Sequence, residues 1–179
     1  DAKTPCPIWA RGAAPVQGSW RIRRPHPGEW RAVSRLVLRS KAFWGYSDDF
    51  LAHFAPGMTV PPRTLARADC LVAAQGPWLL GYGVRRGRRL DDLFVAPEAM
   101  GRGIGRTLLD RLRRHARAAG HAGLVFDADP FAVGFYRRQG ARIVGWTPSP
   151  WPGDPSRRLP RMRLPVRRTV PCRSGYAAA

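Results

Sequence analysis

The stretch with the clearest chemical potential runs from Leu93 to Arg106, where an apolar segment ends at Pro97 and glycines recur at positions 101, 103 and 105. Glycines at alternate positions let a backbone turn sharply and come close to a ligand. The start of the helix that follows adds unpaired N–H donors and a positive partial charge. Such a nest suits a pyrophosphate, and Arg102 and Arg106 would add ionic contacts. The same glycines equally serve a tight strand-to-helix turn, and spacing alone leaves both readings open. A Walker-type loop needs Lys and then Ser or Thr after its last glycine, and Arg106 stands there instead. A dinucleotide fingerprint needs G-x-G-x-x-G in the first strand–helix turn, whereas here G-x-G-x-G follows several strands. The cysteines (Cys6, Cys70, Cys172) are far apart and lack C-x-x-C spacing, so neither a zinc site nor a disulfide framework follows. No histidine lies at a spacing that predicts a triad or a metal site. A reducing, cytoplasmic setting is the default.

The elements that must position this turn are read from periodicity. Trp20–Arg24 is a short strand, ended by Pro25 and Pro27. Helical spacing of Trp30, Val33, Val37 and Leu38 predicts a helix from Gly28 to about Arg39. A second helix over 47–55 has Ser47 as its cap and Asp48 and Asp49 in its first turn, after which Pro56, Gly57, Pro61 and Pro62 break the pattern. Strands over 70–75, 78–84 and 89–95 form a meander. The strongest helix spans about 103–119. Its apolar stripe is Leu108, Leu109, Leu112, Ala116 and Ala119, with Arg102, Arg106, Arg113 and Arg117 expected together on the opposite face. A strand over 123–127, a helix over 131–138, and strands over 141–146 and 159–164 complete an α/β fold. The fold class expected is one mixed, mostly antiparallel sheet with about four helices.

A chain of 179 residues with 44% hydrophobic content suits one domain with a real core, here residues 19–165 between a loose leader (1–18) and a basic tail (166–179). No apolar run reaches the ~20 residues needed to span a bilayer, so no membrane partner is expected. The net charge of +19 invites a nucleic-acid reading, but its make-up tempers that. Of the 31 basic residues 29 are Arg, leaving only Lys3 and Lys41, and Glu occurs only at 29 and 98. A bias of this kind is compositional. The charge admits nucleic acid as a partner without arguing for it.

Residues 93–106 resemble the main motif of the GNAT superfamily of acyl-CoA-dependent N-acyltransferases, a strand of type L-[FY]-V-x-P followed by [QR]-x-x-G-x-[GA]. Leu93-Phe94-Val95-Ala96-Pro97 matches the strand, and Gly101, Gly103 and Gly105 match the glycines. Met100 stands where the family usually has Gln or Arg. A second match lies in register downstream, where Asp127 to Ala141 resembles the family's strand, N/D-x-x-A-x-x-[FL]-Y-x-x-x-G-[FA] helix and next strand. Residues 39–46 look similar to the helix-pair region of many members.

The resemblance implies an N-acetyltransferase with acetyl-CoA as acyl donor and no metal. A neutral amine attacks the thioester, an oxyanion forms, and CoA thiolate leaves. It implies that the backbone of Leu93, Phe94 and Val95 pairs with the pantetheine arm. Gly101, Arg102, Gly103, Ile104, Gly105 and Arg106 would hold the pyrophosphate, and Asp129 would stand near the pantetheine. Tyr136 matches the family's general acid; on residue type alone Phe135 and Tyr136 would read as packing aromatics. Asp91 and Asp92 are the candidate bases, and alternation along a strand lets at most one face the substrate. Trp44, Tyr46, Phe50 and His53 fall where one wall of the acceptor site is expected. The implied partner is a small-molecule or peptide amine, with room for a homodimer. An acceptor carried on RNA, such as aminoacyl-tRNA, and a catalytically silent binding module are the alternatives.

Overall fold

The computed structural model describes residues 18–166, so the expected leader and tail lie outside the described residues apart from Gly18 and Val166. The chain enters through β1 (Arg21–Arg23), a 3-10 turn (Pro27–Glu29) and α1 (Trp30–Ala42). The Glu29 carboxylate accepts the His26 N–H at 2.7 Å and pairs with Arg23 at 2.6 Å, which fixes the turn into the helix. α1 runs past Arg39 to Ala42, since neither Gly nor Pro interrupts the chain before Gly45. That extension carries Ser40 and Lys41 into the helix. α2 (Asp48–Met58) starts as its sequence predicts, with Ser47 Oγ accepting the Phe50 N–H at 3.2 Å. Pro56 falls within its last turn, and Pro62 opens a short α3 (Pro62–Leu65) instead of only breaking the pattern. A proline fits at a helix start because the N–H it lacks would have no partner there. The count of helices is therefore five among the described residues.

β2 (Cys70–Gln75), β3 (Trp78–Arg86) and β4 (Arg89–Val95) form the antiparallel meander, followed by α4 (Ile104–Ala118) and β5 (Gly123–Asp127). α5 (Val133–Arg138), β6 (Arg142–Pro148) and β7 (Arg158–Pro165) complete the domain. The sheet order is β1-β2-β3-β4-β5-β7-β6, and only β4 and β5 run parallel. β3 is buried without interruption from Leu80 to Arg85, which requires cover on both faces. α4 and α1 both pack on β3 and β4 and supply that cover. α4 comes close because Gly81 has no side chain: a Cβ there would lie 2.7 Å from Ile104 Cγ2 and 2.9 Å from Leu108 Cδ1.

The four-arginine face expected on this helix does not exist as such. Arg113 is 4% exposed, packs at the margin of the apolar stripe beside Leu109 and Leu112, and donates to Pro165 O at 2.8 Å. Its long aliphatic stem tolerates that position while the guanidinium finds a carbonyl. Arg102 precedes the helix, and Ala119 lies exposed just beyond it.

Candidate functional site

β4 and β5 pair only at Arg89 and Val125, so the C-terminal half of β4 has no neighbour on that side. Next to this gap opens a cavity of about 510 Å³, walled by β4, the start of α4, α5 and the end of α1. Leu93, Phe94 and Val95 line it, each half-buried, as an edge opened to a ligand requires. Gly101, Gly103, Ile104, Gly105 and Arg106 line the same space. Gly101 and Gly103 take left-handed φ values of +78° and +77°, which a side chain would strain. The first helical bond runs from Thr107 N–H to Gly103 O at 3.0 Å, so the N–H groups of 104–106 have no intrahelical acceptor. The sequence also expects Arg102 in this group, but its guanidinium turns to Gly18 O at 3.0 Å and does not line the cavity. Met100 does line it, and Glu98 pins the loop to α1 through Arg39 at 2.6 Å.

Tyr136 is 6% exposed, lines the cavity, and packs on Phe126 with centroids 4.3 Å apart. Burial, with the Asp92 and Asp129 charges adding, pushes its hydroxyl well above the usual tyrosine range, so it keeps its proton at neutral pH. It is both a packing aromatic and part of the cavity wall.

The acidic pair of β4 separates as alternation requires. Asp91 lies among Arg67, Arg86 and Arg89 at 3.7, 3.5 and 3.3 Å. Asp92 instead accepts from the Tyr82 hydroxyl at 3.2 Å. Burial, then the neighbouring Asp91, raises its carboxyl above 3.8 despite that bond. Neither aspartate is among the cavity-lining residues.

Asp129 is more engaged than its sequence position suggests. It accepts the Phe131 N–H at 3.0 Å, the Tyr46 hydroxyl at 3.0 Å, and an ion pair from Lys41. The Tyr46 hydroxyl is pushed up to about 12, first by burial and then by Asp129. Tyr46 stacks on Phe50 at 4.1 Å, and Trp44 stacks on Phe131 at 5.5 Å within 6° of parallel. Trp44 lines the cavity, Phe50 is buried core at 3% exposure, and His53 stands exposed with its ring on Phe54 at 4.8 Å. Lys41 also lines the cavity; the sequence places it in the 39–46 segment that resembles the helix-pair region and marks it as one of only two lysines, but assigns it no role. Among the described residues no group of His, Cys, Asp and Glu is placed to hold a metal, and no helix is long and apolar enough to cross a membrane.

The Acetyltransferase (GNAT) domain family matches residues 56–145, half of the chain, and the chain belongs to this family of acyl-CoA-dependent N-acetyltransferases. The peptidyl-lysine N-acetyltransferase YiaC of Escherichia coli is 33% identical over 129 residues, covering 69% of this chain and 84% of that protein. The fold is shared with a GCN5-related N-acetyltransferase from Rhodopseudomonas palustris at a TM-score of 0.70 and 21% identity, over 86% of this chain and 99% of that one. It is also shared with the PaiA N-acetyltransferase of Thermoplasma acidophilum, solved with coenzyme A, at 0.64 and 16% over 83% and 99%.

Proposed function

We propose that the protein transfers the acetyl group of acetyl-CoA to a primary amine by direct attack within a ternary complex, and that a lysine side chain of a peptide is the first acceptor to test. The observation that carries this reading is the cavity between the parted β4 and β5, with left-handed glycines at one end and Tyr136 in its wall. The donor supplies an activated thioester; the chain's own residues bind, orient and move protons. Backbone groups of Leu93 and Val95, which face away from β3 and which β5 does not reach, are free to pair with the pantetheine amides, and Phe94 between them bonds to β3. N–H groups at the start of α4, with Arg106 beside them, take the pyrophosphate. Arg102 serves instead to tie this loop to Gly18.

Tyr136 holds its proton in the resting state and delivers it to the departing sulfur. Of the two acidic candidates Asp92 fits the base better than Asp91, because its charge reaches Tyr136 while Asp91 is surrounded by guanidinium groups. Asp92 stands outside the cavity wall, so water must relay the acceptor's proton to it. Asp129 positions: it joins the end of α1, Tyr46 and the turn into α5 at the pantetheine side. The relative's activity on peptidyl lysine favours a lysine acceptor. The RNA-linked alternative rests on net charge alone, and burial of Arg113 removes part of the face that would have served it.

The test is release of CoA thiol with a panel of amines that includes lysine peptides, alongside thermal melting with acetyl-CoA. A donor that binds only the folded state raises the melting temperature by mass action. No shift at saturating acetyl-CoA would overturn the assignment of the donor.

A further inference from the structure

In a chain of 29 arginines and two lysines, the one lysine among the described residues stands in the cavity wall with Leu93, Phe94 and Tyr136. Lys41 is 11% exposed at its side chain, pairs with Asp129, and holds Nζ 4.4 Å from the centroid of the Tyr46 ring. An arginine would serve such an ion pair and aromatic contact at least as well. What arginine cannot do is give up a proton near neutral pH and present a nucleophilic lone pair.

We infer that Lys41 Nζ is itself an acetyl acceptor, and that the protein acetylates this residue from the donor bound in its own cavity. The inference rests on the acetyl-CoA reading above. In the step, the Lys41 ammonium gives one proton to the Asp129 carboxylate that holds it, which passes it to solvent. The neutral Nζ then attacks the thioester carbonyl carbon. A C–N bond forms, the C–S bond breaks, and its electron pair leaves on sulfur. Tyr136 protonates the sulfur, and the second nitrogen proton returns through water to the phenolate. The balance is one lysine ammonium and one acetyl-CoA giving one acetyl-lysine, one free CoA thiol and one proton.

Burial works in favour of this step. It lowers the Lys41 ammonium against the opposing pull of Asp129, and the Arg157 charge adds to the lowering. An amine fixed in the wall of the donor's cavity also reacts as part of one molecule, without the entropy cost of capturing a second. The product is a neutral amide, which can no longer ion-pair with Asp129.

The experiment incubates the full chain with acetyl-CoA and no added amine, and reads intact mass and peptide maps over time. The expected result is one acetyl group on Lys41, appearing at a first-order rate that does not change with protein concentration. Excess desulfo-CoA should block the gain, and Lys41→Arg should lose it. Mapping of the wild type decides the site even where the variant does not fold. Lys41 remaining unmodified while acetyl-CoA raises the melting temperature and amines release CoA would overturn this inference alone. A gain that persists under desulfo-CoA would overturn it too, as acetylation from free solution. Absence of both melting shift and CoA release would remove the donor assignment, and this inference with it.

Discussion

The two walls of the cavity are built in opposite ways. The wall from Leu93 to Arg106 is made of backbone: a strand edge that β5 leaves unpaired, two left-handed glycines and helical N–H groups. The opposite wall is made of side chains drawn from distant parts of the chain, with Lys41 and Tyr46 meeting Asp129 across separations of 88 and 83 residues. A backbone-built site needs particular residues only where the main chain must bend, so it writes a short, regular pattern into the sequence. A side-chain-built site depends on which helices come together, and it leaves no local pattern.

Substitutions on each wall should separate the two. The largest effect is expected at Tyr136, where both meet. Tyr136→Phe should lower kcat on the order of 10²–10⁴-fold, the usual range for a positioned general acid, while acetyl-CoA still raises the melting temperature. Unchanged turnover would remove Tyr136 from the chemistry. On the side-chain wall, Asp129→Ala leaves the Lys41 ammonium buried without its counter-charge and strips the cap from Phe131. A loss of about 3 kcal/mol is expected by chemical denaturation, the low end for a broken buried pair because both side chains keep some exposure. A neutral result would mean that the cluster is solvated. On the backbone wall, Gly103→Ala forces a Cβ into the left-handed region at a cost of about 1–2 kcal/mol. It should weaken acetyl-CoA binding and leave the acceptor KM in place; the reverse pattern would break the division between the walls.

The pH profile should show a shift. Burial keeps the proton on Asp92 to a higher pH than an ordinary carboxylate, and only the deprotonated form can accept the acceptor's proton. Activity should accordingly fall with acidification above the normal carboxylate range, and Asp92→Asn should abolish that limb. A limb that survives in the variant assigns proton acceptance elsewhere. The smallest effect is expected at Arg86, whose side chain is 65% exposed and 3.5 Å from Asp91. Arg86→Ala should change stability by less than about 0.5 kcal/mol by thermal melting, as exposed pairs do.

What was legible in the sequence follows the same division. The meander, the Ser47 cap and the glycine turn into α4 were readable because each rests on residues within one turn or one strand. The misreadings arose where a residue has two uses. Pro62 is a breaker inside a helix and a starter at its first position, and only the chain before it decides which. Arg113 reads as solvent-facing by charge, yet its angle on α4 puts it beside Leu109 and Leu112, and β7 supplies the carbonyl that accepts it.

The sequence by itself determined the mixed sheet and the glycine turn into α4, since hydrophobic periodicity and glycine placement act over a few residues, whereas Tyr136 stood out only through the resemblance to the family. Tertiary structure alone decided the rest. It parted β4 from β5 after a single pairing, turned Asp91 to its arginines and Asp92 to the Tyr82 hydroxyl, and brought Lys41 to Asp129 in the cavity wall. Each depends on side chains far apart in sequence being held together by a shared core. Charge and protonation there follow burial, which no local pattern of residues encodes.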